Sequence, residues 1–138
     1  VVSTTEGTRE ATYHFSRVLR LPFEEVVERV TNALKAEGFG ILTDIDVRDT
    51  LKKKLGVEFR KYRILGACNP PLAHQALQVE DKIGTMLPCN VVVQELEGGG
   101  IEVSAVDPVA SMRAVGNPAL LDIARTVQTK LKAVISAL

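Results

Sequence analysis

The segment from Cys89 to Asp107 constrains this chain most. Two extended runs, Cys89–Glu97 and Ile101–Asp107, flank three consecutive glycines, Gly98, Gly99 and Gly100. Glycine relieves the backbone where a chain reverses tightly, so the segment reads as an antiparallel hairpin. Cys89, Val91 and Val93 fall on one face of the first run and Val92 on the other, which is the period of a strand. Such strands need a helical layer over their apolar face. The glycines carry no phosphate-loop signal, because no G-K-S/T follows and no G-x-G-x-x-G spacing spans them.

The helical layer is legible on both sides of the hairpin. Asn117-Pro118 has the chemistry of a helix start. Leu120, Ile123, Ala124, Val127, Leu131, Val134, Ile135 and Leu138 then form one long apolar stripe. A helix from residue 118 to 138 would be roughly 30 Å long. Lys130 and Lys132 lie towards its C-terminal part, as the helix dipole favours. The stripe is expected to cover the domain's own sheet first, and a homodimer interface second. Near the start of the chain, Pro22 fits a first helical turn, and Phe23, Val26, Val27, Val30 and Leu34 recur at helical spacing. Gly38 is placed to cap that helix, with Phe39 folding back onto it.

Strands are expected before and after this helix. Tyr13, Phe15, Arg17, Leu19 and Leu21 alternate with His14, Ser16, Val18 and Arg20. Gly40 to Val47 reads as a second strand, leading into a short helix capped by Asp46 or Asp49 and ended by Gly56. Asp44, Asp46 and Asp49 lack the glycine and the terminal acid of an EF-hand loop, so capping accounts for them better than calcium. Extended chain returns between Val57 and Ala67. The expected fold class is therefore α+β, an antiparallel sheet covered by helices, with a polar arm at residues 1–11 and a single domain at 12–138.

The chemistry-bearing stretch runs from Ile64 to Val93 and holds both cysteines. Each cysteine precedes an asparagine, in Cys68-Asn69-Pro70 and Pro88-Cys89-Asn90, where an extended run meets a turn or helix. Asn69-Pro70 starts a helix by the same logic as Asn117-Pro118. Cys68 then stands just before free backbone N–H groups, one route to a stabilised thiolate. Set against this, an isolated cysteine is usually a small buried hydrophobe. His74 is expected on the surface and Asp107, before Pro108, in a turn. Both are secondary candidates for a site built around Cys68, Asn69, Cys89 and Asn90.

The chain resembles the bacterial and archaeal domain of unknown function family numbered 302. The resemblance rests on Gly38-Phe39 followed by Ile41, Leu42 and Thr43, and on Leu65-Gly66-Ala67-Cys68-Asn69-Pro70. It rests also on Leu87-Pro88-Cys89-Asn90-Val91 and on Asp107-Pro108. It implies a compact α+β domain similar to a TATA-binding-protein-like arrangement, often dimeric, with neither DNA binding nor a known catalytic activity attached. No residue role transfers with it.

Composition narrows the function classes. Seventeen basic residues balance seventeen acidic ones, so no net charge draws the chain to nucleic acid or to an anionic membrane. Four Phe, two Tyr and no Trp leave little for base stacking. No stretch is long and apolar enough to span a bilayer. Two cysteines make no disulfide framework, and the first residues lack a signal-peptide pattern, which favours the cytoplasm over a processed, exported form. The leading expectation is a pocket for an unidentified small molecule, with Asn69 and Asn90 orienting a polar group and Cys68 and Cys89 lining the site. No metal ligand set and no cofactor is strongly implied. The alternatives are thiol redox or metal chemistry at Cys68 and Cys89, and a non-enzymatic homodimeric partner-binding domain. Zinc is short of ligands here, since it takes four, or three and an open position.

Overall fold

The computed structural model describes residues 8–10 and 13–138. Along the chain run β1 (Thr8–Glu10), β2 (His14–Leu19), α1 (Phe23–Ala36), β3 (Gly40–Asp46), α2 (Val47–Leu55), β4 (Tyr62–Cys68) and α3 (Pro70–Val79). A 3-10 turn at Ile83–Met86 leads to the hairpin β5 (Cys89–Glu95) and β6 (Ile101–Val106). The chain closes with α4 (Pro108–Met112), a second 3-10 turn at Arg113–Val115, and α5 (Pro118–Ser136). Of the expected arm, residues 8–10 pair with β2 as an edge strand, and the rest lies outside the described residues.

The strands form one antiparallel sheet in the order β1-β2-β6-β5-β4-β3. Directly paired residues share a face, so the register sorts the side chains. Phe15, Ala105, Val91 and Leu65 make one row towards the helices, and all four are buried. Ser16, Ser104, Val92 and Ile64 make the neighbouring row on the opposite face. There the Ser16 and Ser104 hydroxyls bond at 2.8 Å, and the His14 ring reaches Ser16 at 2.7 Å.

Two helices supply the main covering layer. α1 buries Phe23, Val26, Val30 and Leu34, the stripe read from the sequence. Pro22 is its N-cap rather than a first-turn residue. At the other end Gly38 takes φ +88°, and the Phe39 N–H donates to the Leu34 carbonyl at 2.9 Å. This left-handed closure turns Phe39 back into the core, where it is buried. α5 ends at Ser136, slightly short of the expected Leu138, which is itself buried. The Arg17 guanidinium donates to the Ile135 and Ser136 carbonyls and so closes the C-terminal end of α5. By contrast α2 buries no residue: Asp46 caps it through the Asp49 N–H, and Gly56 ends it in the left-handed region.

α5 joins two separate apolar clusters. Leu131, Val134 and Ile135 belong to the large core between the sheet, α1 and α5. Leu120 and Ala124, from its N-terminal half, pack with Ala76, Ile83 and Met112 in a smaller cluster.

Candidate functional site

Where the two clusters meet, the side chains stop short of filling the space. Ala67 on β4, Ala73 and Ala76 on α3, and Ala124 on α5 all face the seam. Small residues let helices approach the sheet but supply little volume. They leave a cavity of about 320 Å³ with almost entirely apolar walls. Leu42 and Leu77 also line it and are 68% and 44% exposed, so the cavity reaches the surface between β3 and α3. Leu42 is set there by an irregularity in the β3–β4 pairing between Ile41 and Thr43.

Both cysteines border this cavity. Cys89 lies opposite Ala67 in the β4–β5 register, and Cys68 is the next residue along β4. Cys89 is buried and Cys68 half-buried, both as free thiols. Burial, and secondarily the neighbouring Cys68, push the Cys89 thiol up to about 11. Cys89 is therefore a protonated, unreactive thiol at neutral pH.

Asn69 also borders the cavity, and each end of its amide makes one hydrogen bond. Its Oδ1 accepts from the Leu72 N–H and its Nδ2 donates to the Glu37 carbonyl, both at 3.4 Å. Asn69 thus caps α3 and ties it to the end of α1. A Cβ on Gly38 would come within 3.0 Å of this amide, a second reason for glycine there.

The expectation of free N–H groups beside Cys68 is corrected by the same geometry. Pro70 and Pro71 have no N–H, Leu72 donates to the Asn69 side chain, and Ala73 donates to the Asn69 carbonyl at 2.9 Å. The first turn of α3 presents no spare donor to a thiolate. The second proline, visible in the sequence, was the signal for this.

Asn90 does not join the other three. It is paired with Gly66 and exposed on the opposite face of the sheet from Cys89. Asn90 does not line this cavity; with Cys89 it borders a second pocket, beside Thr85, Met86 and Ser111. His74 is exposed on α3 and does not line the cavity. The Asp107 carboxylate accepts from the Val109 and Ala110 N–H groups and from Gln128 Nε2, at 3.0, 3.5 and 3.0 Å. It caps α4 and holds it to α5, while Pro108 lines the cavity.

Sequence reasoning missed Gly66. A Cβ there would lie 2.7 Å from Pro88 Cγ and would also run into the Thr43 side chain. Glycine therefore lets β3 and the Leu87-Pro88 segment close over β4 at one end of the sheet. It also missed the apolar lining from α3, α4 and α5, including Met112, Leu120 and Ile123.

The fold and cavity define a class: one antiparallel sheet covered by helices, with an apolar space between its two clusters. Residues 15–138 match the family described as domain of unknown function DUF302, and the chain belongs to that family. It is similar to the crystal structure of an uncharacterized conserved DUF302 protein from Bacillus stearothermophilus. The two share 30% identity over 92% of this chain and 98% of that one, with a TM-score of 0.86. No curated protein matches. Among the described residues no helix is long and apolar enough to cross a membrane.

Proposed function

We propose that this domain binds a small, uncharged, largely apolar molecule in the cavity between α3, α5 and the end of the sheet. One observation carries the reading. The four segments on which the family resemblance rests are far apart in sequence, yet all contribute to this one cavity wall. They do so through Phe39 and Leu42, through Ala67, Cys68 and Asn69, through Leu87, Pro88 and Cys89, and through Pro108. Ligand pockets typically hold roughly 300–1,000 Å³, so about 320 Å³ suits a small ligand. Scaling from benzene in an engineered cavity of about 150 Å³, the space takes roughly a dozen carbon atoms. A polar group on the ligand belongs at the Leu42–Leu77 mouth, since the cavity wall is almost entirely apolar.

Thiol redox chemistry at Cys68 and Cys89 is the competing reading. The raised Cys89 thiol and the filled first turn of α3 weigh against it. Association into a homodimer, a finer likeness to the TATA-binding-protein arrangement, and cytoplasmic residence are further parts of this proposal. Light-scattering mass in solution tests the first of them.

The ligand reading is tested by native mass spectrometry of untreated protein and by calorimetric titration with naphthalene and with 2-naphthoate. Saturable binding of one naphthalene per chain, with naphthoate at least tenfold weaker, is expected. Binding of neither, or equal binding of both, would sink the reading.

A further inference from the structure

The cavity wall has a second chemical character besides apolarity, which is sulfur. The chain has two cysteines and two methionines. Three of these four side chains, Cys68, Cys89 and Met112, line the same cavity. Met86 is the exception and is exposed. Cys89 is 9% exposed and Met112 is 6% exposed. Cys89 and Cys68 stand on neighbouring strands, one residue out of register, at the end of the sheet where α4 begins after β6. Cys68 is close enough to Cys89 for its charge to be felt there.

Hard and borderline ions are poorly served here. Among the described residues no three His, Cys, Asp or Glu side chains converge as a metal-binding group. The remaining cavity wall is almost entirely hydrocarbon apart from the Asn69 amide. Magnesium and calcium need oxygen ligands, and zinc needs a fuller set of nitrogen, sulfur or oxygen donors. Cuprous ion differs, since it is soft and is selected by thiolate and thioether donors.

We propose that Cys68, Cys89 and Met112 form a site for a soft monovalent d10 cation, cuprous ion being the type. The two thiolates are the strong ligands and the Met112 thioether is a weak third. Binding converts two thiols and one Cu⁺ into a bis-thiolate complex of charge −1 and releases two protons, with no change of oxidation state. A third thiolate would leave two net negative charges in an apolar cavity, whereas a neutral thioether adds none. The ion itself supplies the positive partner that the buried Cys89 thiolate otherwise lacks. The site does not depend on the cavity accepting an organic ligand, and the ion would occupy only its sulfur-lined part.

The test is anaerobic competition for Cu(I) between the full chain and bicinchoninate, read from the absorbance of the copper–chelator complex. Alkylation of the thiols by N-ethylmaleimide is followed in parallel. One Cu(I) withdrawn per chain, a new ultraviolet thiolate-to-metal band, and protection of the half-buried Cys68 from alkylation are the expected results. Cys68→Ser and Cys89→Ser should each weaken retention at least a hundredfold, and Met112→Leu about tenfold. Naphthalene binding and circular dichroism check that each variant keeps its cavity and fold, so a failed metal site is distinguishable from a failed apolar site. Failure of the wild-type chain to withdraw Cu(I), or retention unchanged in a folded Cys89→Ser variant, would overturn the proposal. Unchanged retention in Met112→Leu would overturn the role given to the thioether.

Discussion

Filling the cavity should stabilise the protein, the reverse of what the same substitution does in a packed core. Ala124 lies on α5, is buried, and faces the seam between the two clusters. Ala124→Leu adds three carbon atoms to that wall. At about 0.8 kcal/mol per buried CH₂, the added burial contributes about 2.4 kcal/mol. Ordering the leucine side chain costs about 0.5–1 kcal/mol, which leaves a net gain of about 1.5–2 kcal/mol. For a domain of 138 residues, each kcal/mol moves Tm by about 3–4 °C, so Tm should rise by roughly 5–8 °C. The same change should abolish naphthalene binding. Urea unfolding followed by circular dichroism measures the stability, and Ala76→Leu on the facing helix repeats the experiment from the other wall. Over-packing a filled core costs about 1–3 kcal/mol instead. A loss of that size in both variants would show that the space is already occupied by side chains, and the reasoning would fail.

Four further outcomes follow from the geometry. Gly66→Ala should lose about 1–3 kcal/mol in urea unfolding, because its Cβ would press on Pro88 and Thr43; unchanged stability would mean that the close approach is not needed. Asn69→Ala should lose about 1–2 kcal/mol, since it removes the cap of α3 and the bond to Glu37, and hydrogen exchange should quicken first at Leu72. Leu131→Asp puts a carboxylate at a fully buried core position and should leave little folded protein by circular dichroism. The Cys89 thiol is raised from 9.0 to about 11, so the folded state resists ionisation that the unfolded chain undergoes. Its contribution is fully present below about pH 9 and is lost as pH rises towards 11, at about 1.4 kcal/mol per pH unit. Cys89→Ala should flatten that part of the alkaline stability profile, and a slope unchanged by the substitution would contradict the burial argument.

The sequence shows elements better than it shows space. The β5–β6 hairpin and α5 are legible because one residue in two, or the 3.6-residue stripe, has to face a core. Asp46 as a cap was legible for a local reason, because a helix start needs an acceptor within three residues. The cavity is different. Periodicity reports which residues face inward, but not whether the volumes of Ala67, Ala76 and Ala124 fill the gap they share. Nor does it show that α5 divides its stripe between two clusters. The repeated Cys-Asn pair suggested one setting for both asparagines, but only Asn69 lines the cavity, while Asn90 borders a different pocket together with Cys89. Gly66 was passed over because its constraint comes from Thr43 and Pro88, which sequence alone does not bring together.

Methyl-detected NMR of the wild-type chain during a naphthalene titration tests the central claim most directly. Saturable shifts should appear in the methyls of Leu77, Leu87, Leu120, Ile123 and Val127, which line the cavity. Val26, Val93 and Val103, buried in the main core, should stay in place. Shifts that never saturate, or that scatter over exposed methyls such as those of Leu55 and Val57 while the cavity residues stay still, would contradict the account.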